Sequence, residues 1–236
     1  MSTYHPSNPE GRINIAIDGP AGAGKSTVAR QVAKRLGYIY IDTGAMYRAV
    51  TLAALRSGIA ADEADKLSKL VDQLDVRLEP GDPVQRVYLD GEDVTEAIRS
   101  RDVTGSVSAV AAIEAVRLSL VDKQRGLAAA KGVVMDGRDI GSHVLPDAEL
   151  KVFLTASVQE RAMRRFKESG EAQGIALEAL EREIAERDRS DRERAISPLI
   201  QASDAVLIDS TTMTIEEVSS RITELGLTIM AEGTTR

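Results

Sequence analysis

Apolar positions along this chain follow two periods, and the period switches repeatedly. The run Ile13-Asn14-Ile15-Ala16-Ile17-Asp18 is β-branched and predicts a strand, and residues 28–36 carry helix formers closed by Gly37 as a C-cap. Residues 38–42 predict a second strand, followed by a helix from Thr43, its candidate N-cap, to about Ser57. Over residues 61–74, Leu67, Leu70, Val71 and Leu74 share one helical face. The period then drops to two. Residues 76–79 and 85–90 alternate around Pro80-Gly81-Asp82-Pro83, with another turn at residues 90–93, which predicts an antiparallel hairpin. A helical pattern returns over residues 95–130, with Gly126 expected to break or kink its last turns. Val133-Val134-Met135 and residues 150–154 predict buried strands, residues 158–194 charged helices, and residues 205–209 a final strand. Residues 214–225 predict a closing helix with Glu216 and Glu217 in its first turn, where carboxylates are favoured.

Between the first strand and the first helix lies Gly19-Pro20-Ala21-Gly22-Ala23-Gly24-Lys25-Ser26-Thr27. It fits G-x-x-x-x-G-K-[ST] in the strand–loop–helix context that gives the pattern its meaning. Glycines let several backbone N–H groups converge on one anion, and the helix N-terminus adds its dipole. Lys25 is placed to reach β- and γ-phosphates, and the Ser26 hydroxyl to ligate Mg²⁺. The alternation of strands and helices then implies an α/β fold: a parallel P-loop NTPase sheet with helices on both faces. A small antiparallel β insert at about residues 75–94 interrupts it, and a helical lid is expected over residues 160–194. Residues 1–12 are polar and expected to be a disordered tail, leaving residues 13–236 as the P-loop domain.

Composition narrows the chemistry. The 236 residues include no cysteine, which excludes disulfides, thiolate nucleophiles and zinc-thiolate sites. The net charge of −7 and the 3% aromatic content argue against a nucleic-acid polymer as partner. No run of 18 apolar residues exists to span a membrane, and the N-terminus lacks the apolar core of a signal peptide, so a cytoplasmic location is expected; a monomer is expected separately. His5 and His143 fall in no triad spacing and read as surface or loop residues.

The arginines separate phosphoryl transfer from a nucleotide switch that only hydrolyses. No N-K-x-D guanine-reading segment is present. In Glu186-Arg187-Asp188-Arg189-Ser190-Asp191-Arg192-Glu193-Arg194, positions 187, 191 and 194 share a helix face. Arginine suits bidentate phosphate contacts and transition-state charge. The interleaved acids fit a solvated, salt-bridged face equally well. Arg48 and Arg138 each follow a strand end beside the P-loop, where an acceptor phosphate or a rim ion pair would place them. Asp136 ends an apolar strand, as a carboxylate holding water on Mg²⁺ does. Asp139 stands close by, able to accept from a base amine or a sugar hydroxyl.

From about Ile13 to the closing helix the chain resembles the bacterial cytidylate kinases, a family of P-loop nucleoside monophosphate kinases. The resemblance is carried by the glycine loop, Asp42-Thr43-Gly44-Ala45-Met46-Tyr47-Arg48, Asp136-Gly137-Arg138-Asp139-Ile140-Gly141, Glu186-Arg187-Asp188, Asp191-Arg192 and Asp209-Ser210-Thr211. It implies transfer of the ATP γ-phosphoryl group to CMP or dCMP with Mg²⁺. Residues 43–130 would be the monophosphate-binding region. By the same resemblance Thr43, Arg48 and Arg138 contact the acceptor, while Ser108, Arg117 and Asp139 read cytosine. Asp191 holds the ribose, Arg187 and Arg194 clamp phosphates, and Arg161 and Arg165 flank ATP. Other small acceptors on the same scaffold (UMP, AMP, shikimate), and a nucleotide-binding regulator that transfers nothing, stay open at this point.

Overall fold

Every residue of the first strand is buried, and the other layers are arranged around it. The computed structural model describes residues 11–81, 84–170 and 174–233. Along the chain run β1 (Asn14–Asp18), α1 (Lys25–Leu36), β2 (Ile39–Asp42), α2 (Thr43–Arg56) and α3 (Ala64–Gln73). Then come β3 (Val76–Glu79), β4 (Arg86–Leu89), β5 (Glu92–Asp93), α4 (Arg101–Ala111) and α5 (Glu114–Ala128). The last are β6 (Val133–Gly137), β7 (Leu150–Thr155), α6 (Val158–Arg165), α7 (Leu177–Glu193), β8 (Val206–Asp209) and α8 (Ile215–Gly233).

Five strands form a sheet in the order β2-β6-β1-β7-β8, and every pairing is parallel. Side chains alternate across a strand, so the two faces of β1 meet different helices. Ile15 and Ile17 share a core with Val28, Ala29 and Val32 of α1 and with Val218 and Ile222 of α8. Ala16 joins the opposite layer with Val121 and Ala128 of α5. Both faces are therefore dry, which is why β1, β6 and β7 read as nearly continuous apolar runs. A third core joins α2, α3, α4, α5 and the antiparallel sheet β3-β4-β5, through Met46, Val50, Leu67, Val87, Val107 and Leu120 among others.

Several local expectations change in the structure. Asp42, not Thr43, caps α2: its Oδ1 accepts from the Ala45 N–H at 2.8 Å, while Thr43 is already helical and donates its hydroxyl to the Asp136 carbonyl at 2.7 Å. The helical stretch 95–130 is two helices, bent by 96° where Ile113 is extended (φ −74°, ψ 123°). Gly126 does not break the second; it lies inside α5 with open space beside it, so no packing requires a glycine there. The β insert has three strands, because Glu92–Asp93 pairs back onto Tyr88 and Leu89. Gln85 ties this insert to the sheet edge, donating to the Tyr40 carbonyl at 2.5 Å and accepting from the Asp42 N–H at 3.1 Å. The closing helix reaches Gly233. Within the expected N-terminal tail, residues 1–10 lie outside the described residues, whereas Arg12 stacks on Tyr38 and donates to the Gly37 carbonyl. Part of the expected lid, residues 171–173, also lies outside them.

Candidate active site

The C-terminal ends of β1, β2 and β6 open into a cavity of about 610 Å³. One wall is the glycine loop. Gly19 starts it with φ +150°, and a Cβ there would lie 1.9 Å from the Leu154 carbonyl oxygen on β7, so only glycine lets the chain leave the sheet at this point. Ala21 to Thr27 line the cavity; Gly19 and Pro20 shape the loop without lining it. The N-cap position of α1 is Gly24 at φ 86°, and no side chain caps the helix or places an acid in its first turn. Its first N–H groups are left as anion donors. Lys25 is buried, with Nζ donating to the Pro20 carbonyl at 2.7 Å. Burial and then the Arg138 charge hold its pKa well below the usual lysine value.

Beside Lys25, Asp136 stands at the end of β6. It accepts from the Ser26 hydroxyl through Oδ2 and from the Tyr40 hydroxyl through Oδ1, both at 2.9 Å. Burial, with the charge of Asp42, pushes the Asp136 carboxyl up to about 6. A nearby cation would favour its ionised form. One hydroxyl and one carboxylate suit a Mg²⁺ ion held mainly by phosphate oxygens and water. Among the described residues no cluster of three or more His, Cys, Asp or Glu is arranged as an all-protein metal cage.

The opposite wall is cationic. Arg48 pairs with Asp42 at 3.0 Å, and its Nε is buried without a hydrogen-bond partner. Arg138 pairs with Asp191 at 2.8 Å, and the Ser108 hydroxyl stands 3.5 Å from the same carboxylate. Burial would raise the Asp191 carboxyl, but Arg138, Arg187 and Arg194 outweigh it and hold the pKa below the usual value. Asp139 is buried between Arg117 and Arg194, the latter at 3.2 Å. Arg117 also lies 5.4 Å over the Tyr47 ring and donates to the Ala111 carbonyl. The Arg187 side chain makes no hydrogen bond or ion pair among the described residues, and its Nε is buried and unsatisfied. Burial, then repulsion from Arg138 and also from Arg48 and Arg165, lowers its pKa to about 10.

The helix carrying Arg187 settles the two readings of its charge pattern by face. Arg189 and Glu186 form an exposed pair at 2.5 Å on the outside. Arg187, Asp191 and Arg194 line the cavity. Arg165 lines it too, but Arg161 does not. The Arg161 side chain is 3% exposed and lies behind the loop, paired with Asp188 at 2.7 Å and donating to the carbonyls of Ala21 and Ala156. Asp188 in turn accepts from the Ala21 N–H at 3.3 Å. This pair grips both sides of one P-loop residue, so Arg161 is a positioning group rather than a cavity contact. Its place on the cavity wall is taken by Arg164, which the sequence reading passed over; Arg164 donates to the Ser210 carbonyl at 2.6 Å. No sequence signal marks Tyr40, Tyr47 or Asp18 individually, although Tyr47 lies inside a segment that carries the resemblance.

A glycine loop at the end of a buried parallel strand, faced across one cavity by arginines in excess of their carboxylates, defines a P-loop phosphotransferase with room for two phosphate-bearing ligands. The family model described as cytidylate kinase matches residues 15–226. Cytidylate kinase of Pediococcus pentosaceus is 56% identical over 212 residues, spanning 89% of this chain and 94% of that protein. The Ligilactobacillus salivarius cytidylate kinase is 55% identical over 213 residues, spanning 89% and 95%. Among solved structures, an uncharacterized protein from Eubacterium ventriosum superposes with a TM-score of 0.51 at 12% identity, over 92% of this chain and 99% of that one, a likeness of fold alone. The chain belongs to the cytidylate kinase family.

Proposed function

We propose that the cavity holds ATP over the glycine loop and CMP or dCMP against Arg48 and Arg138, and that the enzyme moves the ATP γ-phosphoryl group to the acceptor phosphate. The observation that carries this is Arg187, a partly buried cation packed among Arg138, Arg48 and Arg165 whose side chain makes no ion pair among the described residues. Such a group keeps an uncompensated desolvation cost that an arriving anion would offset. Lys25 and the α1 N–H groups take the donor phosphates. Thr43, Arg48 and Arg138 take the acceptor phosphate, and Asp191 the ribose. Ser108, Arg117 and Asp139 read cytosine, Ser108 exchanging its contact with Asp191, and Arg117 and Asp139 the bond between them, for bonds to the base. Arg187 and Arg194 neutralise charge on the transferring oxygens, so catalysis is mainly positioning and electrostatics. Ser26 and Asp136 would hold Mg²⁺, which would supply charge neutralisation on the donor phosphates. The enzyme works as a monomer in the cytoplasm, where both nucleotides are supplied.

A panel of acceptors with labelled ATP tests this reading. CMP and dCMP are expected to be phosphorylated in preference to UMP, AMP and shikimate. Better turnover of one of those, or ATP hydrolysis with no labelled acceptor, would overturn it.

Residues 160–194 are the part expected to close over both ligands. Helices α6 and α7 keep a small core of their own, Ala162, Leu180 and Ile184, apart from the three larger ones. Amide exchange across this region is expected to slow when ATP and CMP are both present, and unchanged exchange would remove the lid role. On the donor side, Arg164→Ala is expected to raise the KM for ATP roughly tenfold, the loss of one charge-assisted bond, with the KM for CMP unaltered. Equal changes in both constants would argue against that placement.

A further inference from the structure

Asp18 is the last residue of β1, one position before the glycine loop, and is 5% exposed. None of the roles above uses it. Its Oδ1 accepts from the Ile140 N–H and its Oδ2 from the Gly141 N–H, both at 2.7 Å, across 122 and 123 residues of chain. These two N–H groups open a wide turn, Ile140–Val144, that directly follows Arg138 and Asp139. A carboxylate can receive two converging N–H groups; an amide offers one acceptor and turns a donor toward the other. The segment it holds is tightly packed, since a Cβ on Gly137 would meet Ile140 Cδ1 at 2.6 Å and Thr43 Oγ1 at 2.8 Å.

We infer that Asp18 is a positioning residue for the acceptor nucleotide, fixing the Arg138–Asp139 segment in register with the glycine loop through its two-point hold on Ile140 and Gly141. This rests on the reading of Arg138 and Asp139 as acceptor contacts. Asp18 is one residue from the donor loop, and its two carboxylate oxygens directly accept from the turn that follows the acceptor segment, so it sets the spacing between the two phosphate sites. In-line transfer depends steeply on that spacing. Burial pushes the Asp18 carboxyl up to about 7 even though two N–H bonds and Lys25 pull it down. The folded chain therefore holds the proton more tightly than the unfolded one. Stability falls as pH rises from the ordinary carboxylate range toward 7, and the penalty is present at neutral pH.

The test compares Asp18→Asn, Asp18→Ser and Asp139→Asn with the parent for KM of each nucleotide, CMP-to-UMP preference and Tm. Asp18→Asn keeps the shape and removes one acceptor. It is expected to raise the KM for CMP roughly tenfold while the KM for ATP stays within about twofold. Asp18→Ser, which breaks the two-point hold without filling the space, is expected to move the same constant further. An unchanged KM for CMP overturns the proposal, as does a parallel rise in both KM values with a lower Tm, which is what a purely structural role would produce. Failure of both variants to fold assigns Asp18 to folding and also overturns it. If Asp139→Asn leaves the CMP-to-UMP preference unaltered, the acceptor reading itself falls, and the role of Asp18 with it.

Discussion

Arg187→Ala is expected to lower kcat by about a thousandfold without lowering the Tm of the ligand-free protein. The two halves of this result share one cause. Arg187 has Arg138, Arg48 and Arg165 as cationic neighbours, and the nearest opposite charge, Asp191, is already bonded to Arg138. Its pKa is lowered from the usual arginine value to about 10, so the folded state binds that proton less tightly than the unfolded chain does. A cation of this kind weakens the fold at every pH below its folded pKa, and neutral pH lies well inside that window. Removing it relieves repulsion, and a Tm change between zero and a few degrees upward is expected. In the reaction the same charge meets oxygens that become more negative, where removal of one such donor costs about 10²–10³ and removal of a transferring arginine about 10³–10⁵. Arg187→Lys should recover only part of the loss, because an ammonium lacks the planar fork. Steady-state kinetics and thermal melts check both halves. A kcat within threefold of the parent, or a melt several degrees lower, would overturn this reading of Arg187.

Asp139→Asn is expected to affect both stability and acceptor choice. The Asp139 carboxylate lies between two guanidinium groups whose side chains are 2% and 6% exposed, Arg117 and Arg194. Breaking one buried pair costs about 3–5 kcal/mol, since the stranded charge keeps its desolvation penalty. Here one substitution strands two charges, although each keeps a second bond, Arg117 to the Ala111 carbonyl and Arg194 to the Ser197 carbonyl. A fall in Tm of roughly 10 °C follows for a chain of this size. The same carboxylate is the group assigned to cytosine. Its neutral replacement offers a mixed donor and acceptor edge, so preference for CMP over UMP should drop at least about tenfold. Thermal unfolding and the ratio of kcat/KM values for the two acceptors measure these separately. No change in either would remove Asp139 from both roles.

Much of the fold was legible because it is local. The alternation of Ile15, Ala16 and Ile17, the glycines around Lys25 and the helical faces of residues 61–74 declare their conformation within a few residues. The family of the chain was legible for the same reason: its segments around Gly24, Thr43, Arg138 and Arg187 are short and contiguous. Helix ends were less so. Thr43 and Asp42 are both good cap residues, and only the direction in which β2 delivers the chain puts Asp42 outside the helix, with a carboxylate free to cap. Between Arg161 and Arg164, three positions apart on one helix, sequence offers no means of choosing. Packing of α7 against α6 turns Arg161 inward to Asp188 and leaves Arg164 facing the cavity. Sequence by itself determined the phosphate loop, because such a loop is built from consecutive backbone groups. How the remaining side chains pair was decided only by tertiary structure. They are brought together across the chain, Asp18 with Gly141, Asp139 with Arg194, Arg138 with Asp191. Pairing energies of that kind depend on burial and distance, and neither is written in the order of residues.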